Sequence, residues 1–65
     1  MRIHINQNTH ELRRGATLAD AIALVQPPMP FAAAINMTFV PNTRYGDTPL
    51  NDGDRIDLIA PVTGG

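Results

Sequence analysis

Arg2-Ile3-His4-Ile5-Asn6 alternates polar and apolar, the period of a half-buried strand. Ile3 and Ile5 then point toward a core. Gln7-Asn8-Thr9 offers a turn, and Asn8 is its residue best suited to a positive φ. His10-Glu11-Leu12-Arg13 follows as a second strand with Leu12 facing in, which predicts an N-terminal hairpin. Gly15 breaks the alternation. From there the period changes. Leu18, Ala21, Ile22 and Val25 recur at i, i+3, i+4 and i+7, one apolar stripe of a helix. Thr17 stands at the N-cap, and Asp20 can reach back to it in a variant of the capping box. Pro27-Pro28 ends the helix, because proline supplies no N–H and disfavours helix in the residue before it. At about two and a half turns, such a helix must be held by packing on a sheet.

Phe31-Ala32-Ala33-Ala34-Ile35-Asn36 is an apolar run of strand length, although its alanines also suit a helix. Pro30 before it and the turn-forming Asn36 after it favour a strand. The alanines suggest close approach by the crossing helix. Thr38-Phe39-Val40 is a short strand ending at Pro41, and Asn42 to Asp47 is a loop with room for one helical turn. Asp52-Gly53 is a strong turn signal that launches a last strand, in which Ile56 and Leu58 face one way. The order β-β-α-β-(β)-β predicts an α+β fold. A mixed sheet of four or five strands carries one main helix across a face, the β-grasp or ubiquitin-like arrangement. The crossover is expected to be right-handed.

A chain of 65 residues has room for one domain, residues 1–65, with 61–65 expected as a flexible tail. It buries only about 60 % of its unfolded surface. Its net stability is on the order of a few kcal/mol. A deep active-site cavity and a core hardly fit together in it, so a carrier, binding module or subunit is favoured over an enzyme. The net charge is −1, with five arginines, no lysine and six acidic residues, so no basic footprint for nucleic acid exists. Asp47, Asp52, Asp54 and Asp57 gather in the last third. They read either as a solvated face or as a docking surface for a basic partner. No cysteine is present, which excludes disulfides, thiolate metal sites and chemistry on the protein's own thiol. No run of 18 apolar residues could span a membrane, and the N-terminus lacks the apolar region of a signal peptide. A cytoplasmic location is expected. His4 and His10 lie on facing strands of the hairpin and would be neighbours, but no third ligand is near, so no metal site is expected.

The chain ends on Gly64-Gly65, behind the run Arg55 to Thr63 that reads as a strand leading into a tether. Glycine has no Cβ, so these residues can lie in a channel too narrow for any other. Extended, residues 61–65 span roughly 17 Å, enough to place the terminal carboxylate inside another protein's active site. At the root of this tether, Ile59 and Val62 would form an exposed apolar patch of the kind that marks partner sites. Equally, a bend near Pro61 would tuck one of them into the core. Phe39 and Tyr45 either extend the patch or serve as core or loop packing.

Ala34-Ile35-Asn36 with Val40-Pro41, then Leu50 through Leu58 with Asp52-Gly53-Asp54 inside it, then Val62-Thr63-Gly64-Gly65, resembles the thiamine sulfur-carrier family, ThiS. The resemblance covers essentially the whole chain. It is shared with the small subunit of molybdopterin synthase, MoaD. Many ThiS chains carry Arg straight after the Val-Pro, where Asn42 stands here, and Pro61 to Gly65 is also similar to MoaD endings. The choice of pathway is open on that comparison. The resemblance implies a carrier that binds no cofactor and does no catalysis. An adenylating enzyme of the ThiF type, using ATP and Mg, would activate the Gly65 carboxylate. A persulfide from a cysteine desulfurase would then convert it to a thiocarboxylate. A thiazole synthase of the ThiG type would take the sulfur. Gly64 and Thr63 would thread the tail, and Ile59, Val62 and Phe39 would meet the partner. A ubiquitin-like modifier and a plain β-grasp binding module remain as readings of other classes.

Overall fold

The computed structural model describes residues 1–60. Five strands form one mixed sheet in the order β2-β1-β5-β3-β4. β1 (Arg2–Ile5) and β2 (Asn8–Glu11) make the N-terminal hairpin. The helix α1 (Leu18–Val25) follows, then the hairpin of β3 (Ala32–Ile35) and β4 (Thr38–Val40). A 3-10 helix occupies Asn42–Asp47, and β5 (Arg55–Ile59) returns to the centre of the sheet. There it runs parallel to β1 and antiparallel to β3. The expected β-grasp order is present.

The core forms where the alternating strand residues and the helix stripe meet. Ile3, Ile5, Leu18, Ala21, Ala33, Val40, Leu50, Ile56 and Leu58 are its buried members, and Leu12, Ile22, Val25, Phe31, Ile35 and Tyr45 pack against it. The N-terminus of α1 is held twice. Within the chain turn, the Thr17 N–H donates to the Asp20 carboxylate at 2.8 Å. From outside, the Leu18 N–H donates to the Thr48 carbonyl at 2.8 Å, and the Leu50 N–H to the Ala16 carbonyl at 2.9 Å. These bonds satisfy a donor that a bare helix end leaves without a partner. At the other end Gln26 takes a left-handed conformation, with φ 52°, directly before Pro27.

Three expectations are corrected. The first hairpin turns at Asn6 and Gln7, with Asn6 at φ 55°, rather than over Gln7 to Thr9, and β2 starts at Asn8 instead of His10. The observed register therefore sets His4 opposite Thr9 and His10 opposite Ile3. A turn centred on Asn8 would set His4 opposite Leu12. The difference is an odd number of residues, and an odd shift exchanges the faces of a strand. The two histidines consequently lie on opposite faces of the sheet and are not neighbours. Lastly, of the three alanines in β3 only Ala33 turns to the core, while Ala32 and Ala34 belong to the open face.

Candidate functional site

β5 is the element that leads to the tail, and its side chains alternate. Ile56 and Leu58 are buried, while Ile59 is 59 % exposed. The register then decides what stands beside Ile59. Ala32 is its direct partner on β3. Two residues away along the same face, Ala34 is paired with Asp57 on one side and with Phe39 of β4 on the other. Side chains directly opposite one another share a face. Ile59, Ala32, Ala34 and Phe39 therefore form one apolar surface on the open side of the sheet. Its middle is flat, because both central residues are alanines. Its flanks stand proud, with Phe39 66 % exposed.

An open groove of about 370 Å³ adjoins this surface, lined by Phe31, Ala32, Phe39, Pro41, Asn42 and Tyr45. Its far wall is built rather than accidental. The rings of Phe31 and Tyr45 stack with centroids 6.1 Å apart and planes 15° off parallel. That arrangement fixes the 3-10 helix against the start of β3, since offset aromatic stacks of this separation are favourable. Tyr45 thus serves packing, one of its two expected roles. Phe39 departs from the packing role and stands on the surface.

Charge enters at the other end of β5. Asp54 accepts a hydrogen bond from the Asn36 side-chain amide at 3.1 Å and another from the Asn51 N–H at 2.8 Å. Asp52 accepts the Arg2 N–H at 2.6 Å. These two of the grouped acids hold the turn before β5, and Gly53 supports that turn with a φ of +88°. Asp20 has a displaced acidity. The Thr17 N–H, aided by the nearby Arg13 guanidinium, holds it below the ordinary carboxylate value.

The structure brings together two of the residues expected to meet a partner, Ile59 and Phe39. Val62, Thr63, Gly64 and Gly65 lie outside the described residues. Ala32, Ala34, Phe31 and Pro41 are additions. The apolar run from Phe31 was visible in the sequence, but which of its residues face outward was not. Among the described residues no group of three or more His, Asp or Glu side chains could hold a metal ion. Among them too, no helix is long and apolar enough to cross a membrane.

A family model described as the ThiS family matches residues 3–65. No curated protein matches the chain. Among solved structures it is similar to a crystal structure described as the thiamine biosynthesis protein (ThiS) from Geobacter metallireducens. The TM-score is 0.82, the identity is 13 %, and all of each chain is covered. At that identity the likeness establishes the shared fold.

Proposed function

The chain belongs to the ThiS family, and from that membership we propose that it is a sulfur carrier of thiamine biosynthesis. In this reading it is a co-substrate of other enzymes and catalyses nothing itself. The Gly65 carboxylate is ionised near neutral pH, and an ionised carboxylate is a poor electrophile. A ThiF-type adenylating enzyme, using MgATP, converts it to an acyl adenylate with a good leaving group. The terminal sulfur of a persulfide supplied by a cysteine desulfurase attacks the carbonyl and AMP leaves, which gives an acyl disulfide; a thiol, as the two-electron reductant, then cleaves its S–S bond, freeing the thiocarboxylate and leaving a disulfide. The resulting thiocarboxylate is presented to a ThiG-type thiazole synthase. Gly64 and Thr63 pass the constriction of each partner's channel, and Gly65 carries the sulfur.

The observation that supports this most is the family match, which runs through Gly64 and Gly65 to the last residue. The sheet surface of Ile59, Ala32, Ala34 and Phe39 gives the carrier a place to dock. Exposed apolar residues grouped on one face are the usual mark of a partner site.

Intact mass spectrometry of the protein from its own thiamine-starved cells, isolated under mild non-oxidising conditions, tests the reading. A subpopulation in which one oxygen is replaced by one sulfur, located in the C-terminal peptide, is expected. If every molecule carries an ordinary carboxylate in starved cells, the carrier reading fails.

A further inference from the structure

The two hairpin turns share a device. Each opens on an asparagine in the left-handed region, Asn6 at φ 55° and Asn36 at φ 48°. Asn6 follows β1 and Asn36 follows β3, the two strands that flank β5. Both asparagines grip β5 in the same two ways. The backbone N–H donates to a β5 carbonyl, from Asn6 to Ile56 at 2.8 Å and from Asn36 to Arg55 at 2.8 Å. The side-chain oxygen accepts a β5 N–H, from Leu58 at 2.9 Å for Asn6 and from Arg55 at 3.1 Å for Asn36.

In a regular ladder the acceptor of that second bond is the main-chain carbonyl. Here the short side chain of a left-handed turn residue supplies the oxygen instead. Each ladder thereby gains one step beyond its last strand residue, Ile5 on one side and Ile35 on the other. Glycine suits a positive φ at least as well, but it brings no oxygen. Asparagine meets both demands.

The two grips differ in what they hold. Asn36 acts at Arg55, the first residue of β5. Asn6 acts at Leu58, directly before Ile59 of the docking surface. On the β1 side the strand register stops at Ile5 with Ile56. Leu58 is buried, and a buried N–H without a partner is costly. The Asn6 oxygen is its partner, and it holds the end of β5 on the edge away from β3. The other edge is held at the next residue, where Ile59 pairs with Ala32.

We infer that Asn6 is a positioning residue for docking: its side-chain oxygen fixes Leu58 and so presents Ile59, already in place beside Ala32, to the adenylating enzyme. The docking half of this rests on the carrier reading above. The grip on Leu58 does not. A surface ordered before contact loses less freedom when the partner arrives.

The test compares Asn6→Gly with Asn36→Gly in the full-length chain. Each variant keeps a residue that accepts a positive φ and removes one side-chain oxygen, so both turns survive. Two quantities are read: amide exchange, and pyrophosphate release with a ThiF-type adenylating enzyme from the same cells and MgATP. In the wild type the Leu58 amide should exchange at least about tenfold more slowly than in a short peptide of the same sequence. Asn6→Gly should speed that exchange by about fivefold. It should raise the KM for the carrier by about the same factor and leave kcat unchanged, because the surface serves binding. Asn36→Gly should speed exchange at Arg55 and leave KM at the wild-type value. Peptide-like exchange at Leu58 in the wild type, or exchange there that Asn6→Gly does not change, overturns the grip. An unchanged KM in Asn6→Gly, or an equal rise in both variants, overturns the positioning role and leaves Asn6 a structural residue. A wild-type chain that the adenylating enzyme never activates overturns the carrier reading and the positioning role with it, and the exchange result still decides the grip.

Discussion

Asp20 joins three local groups. Its carboxylate takes the Thr17 N–H at 2.8 Å, the Thr17 hydroxyl at 3.3 Å and an Arg13 guanidinium nitrogen at 3.3 Å. Its pKa is lowered on folding, so the unfolded chain holds this proton more tightly than the folded one. The stabilisation is accordingly present above the ordinary carboxylate value and is lost as pH falls below it. Urea titrations from neutrality down to acid should show a steeper loss for the wild type than for Asp20→Asn. Equal slopes would remove Asp20 from the acid response. Met37 is strained in a different way. It sits at φ 71° beside Asn36 at φ 48°, and both positive values belong to a tight type I′ hairpin turn. Its side chain is 89 % exposed, so no packing offsets the left-handed backbone. Met37→Gly creates the preferred Asn-Gly turn and should stabilise by about 0.5–1 kcal/mol, read as a raised urea midpoint. A lowered midpoint would mean that Met37 makes contacts its exposure does not suggest.

Among the elements, α1 is the one least able to stand alone. Eight residues are too few for an isolated helix. It persists because Leu18 and Ala21 are buried and because residues 48–50 bond to its N-terminal end. Leu18 has no exposed surface. Leu18→Ala should therefore cost about 3 kcal/mol, which is comparable to the whole stability of so small a domain. Circular dichroism should show the sheet and helix lost together. Loss of the helix with the strands retained would contradict a single shared core. The β3–β4 hairpin is the opposite case. Its turn is local, and Asn36 then also ties it to β5 by accepting the Arg55 N–H at 3.1 Å.

The molecule as a whole is a frame that exposes one apolar surface beside its own C-terminal strand. Phe39 and Ile59 contribute to that surface and stand outside the buried core. Their replacement separates folding from docking. Phe39→Asp and Ile59→Asp should each change the unfolding free energy by no more than about 0.5 kcal/mol. Each should weaken binding to a ThiF-type adenylating enzyme by about tenfold or more, measured by calorimetry. Unchanged affinity in both variants would move the docking surface elsewhere.

Much of this fold was legible in the chain before any coordinates. The alternation marked Ile3, Ile5, Ile56 and Leu58 as core, the helical spacing marked Leu18 and Ala21, and Pro27 and Asn36 marked where elements stop. These are properties of one segment at a time, governed by the period of a strand or a helix and by the backbone limits of proline and of residues that tolerate a positive φ. The alternation left Ile59 either exposed or tucked in by a bend near Pro61, and the structure exposes it. Its neighbours did not follow from alternation. That Ala32 stands opposite Ile59, that Ala34 links Phe39 to Asp57, and that His4 and His10 part to opposite faces all depend on register. Register couples residues far apart in the chain, and a turn displaced by one position can reverse every face that follows.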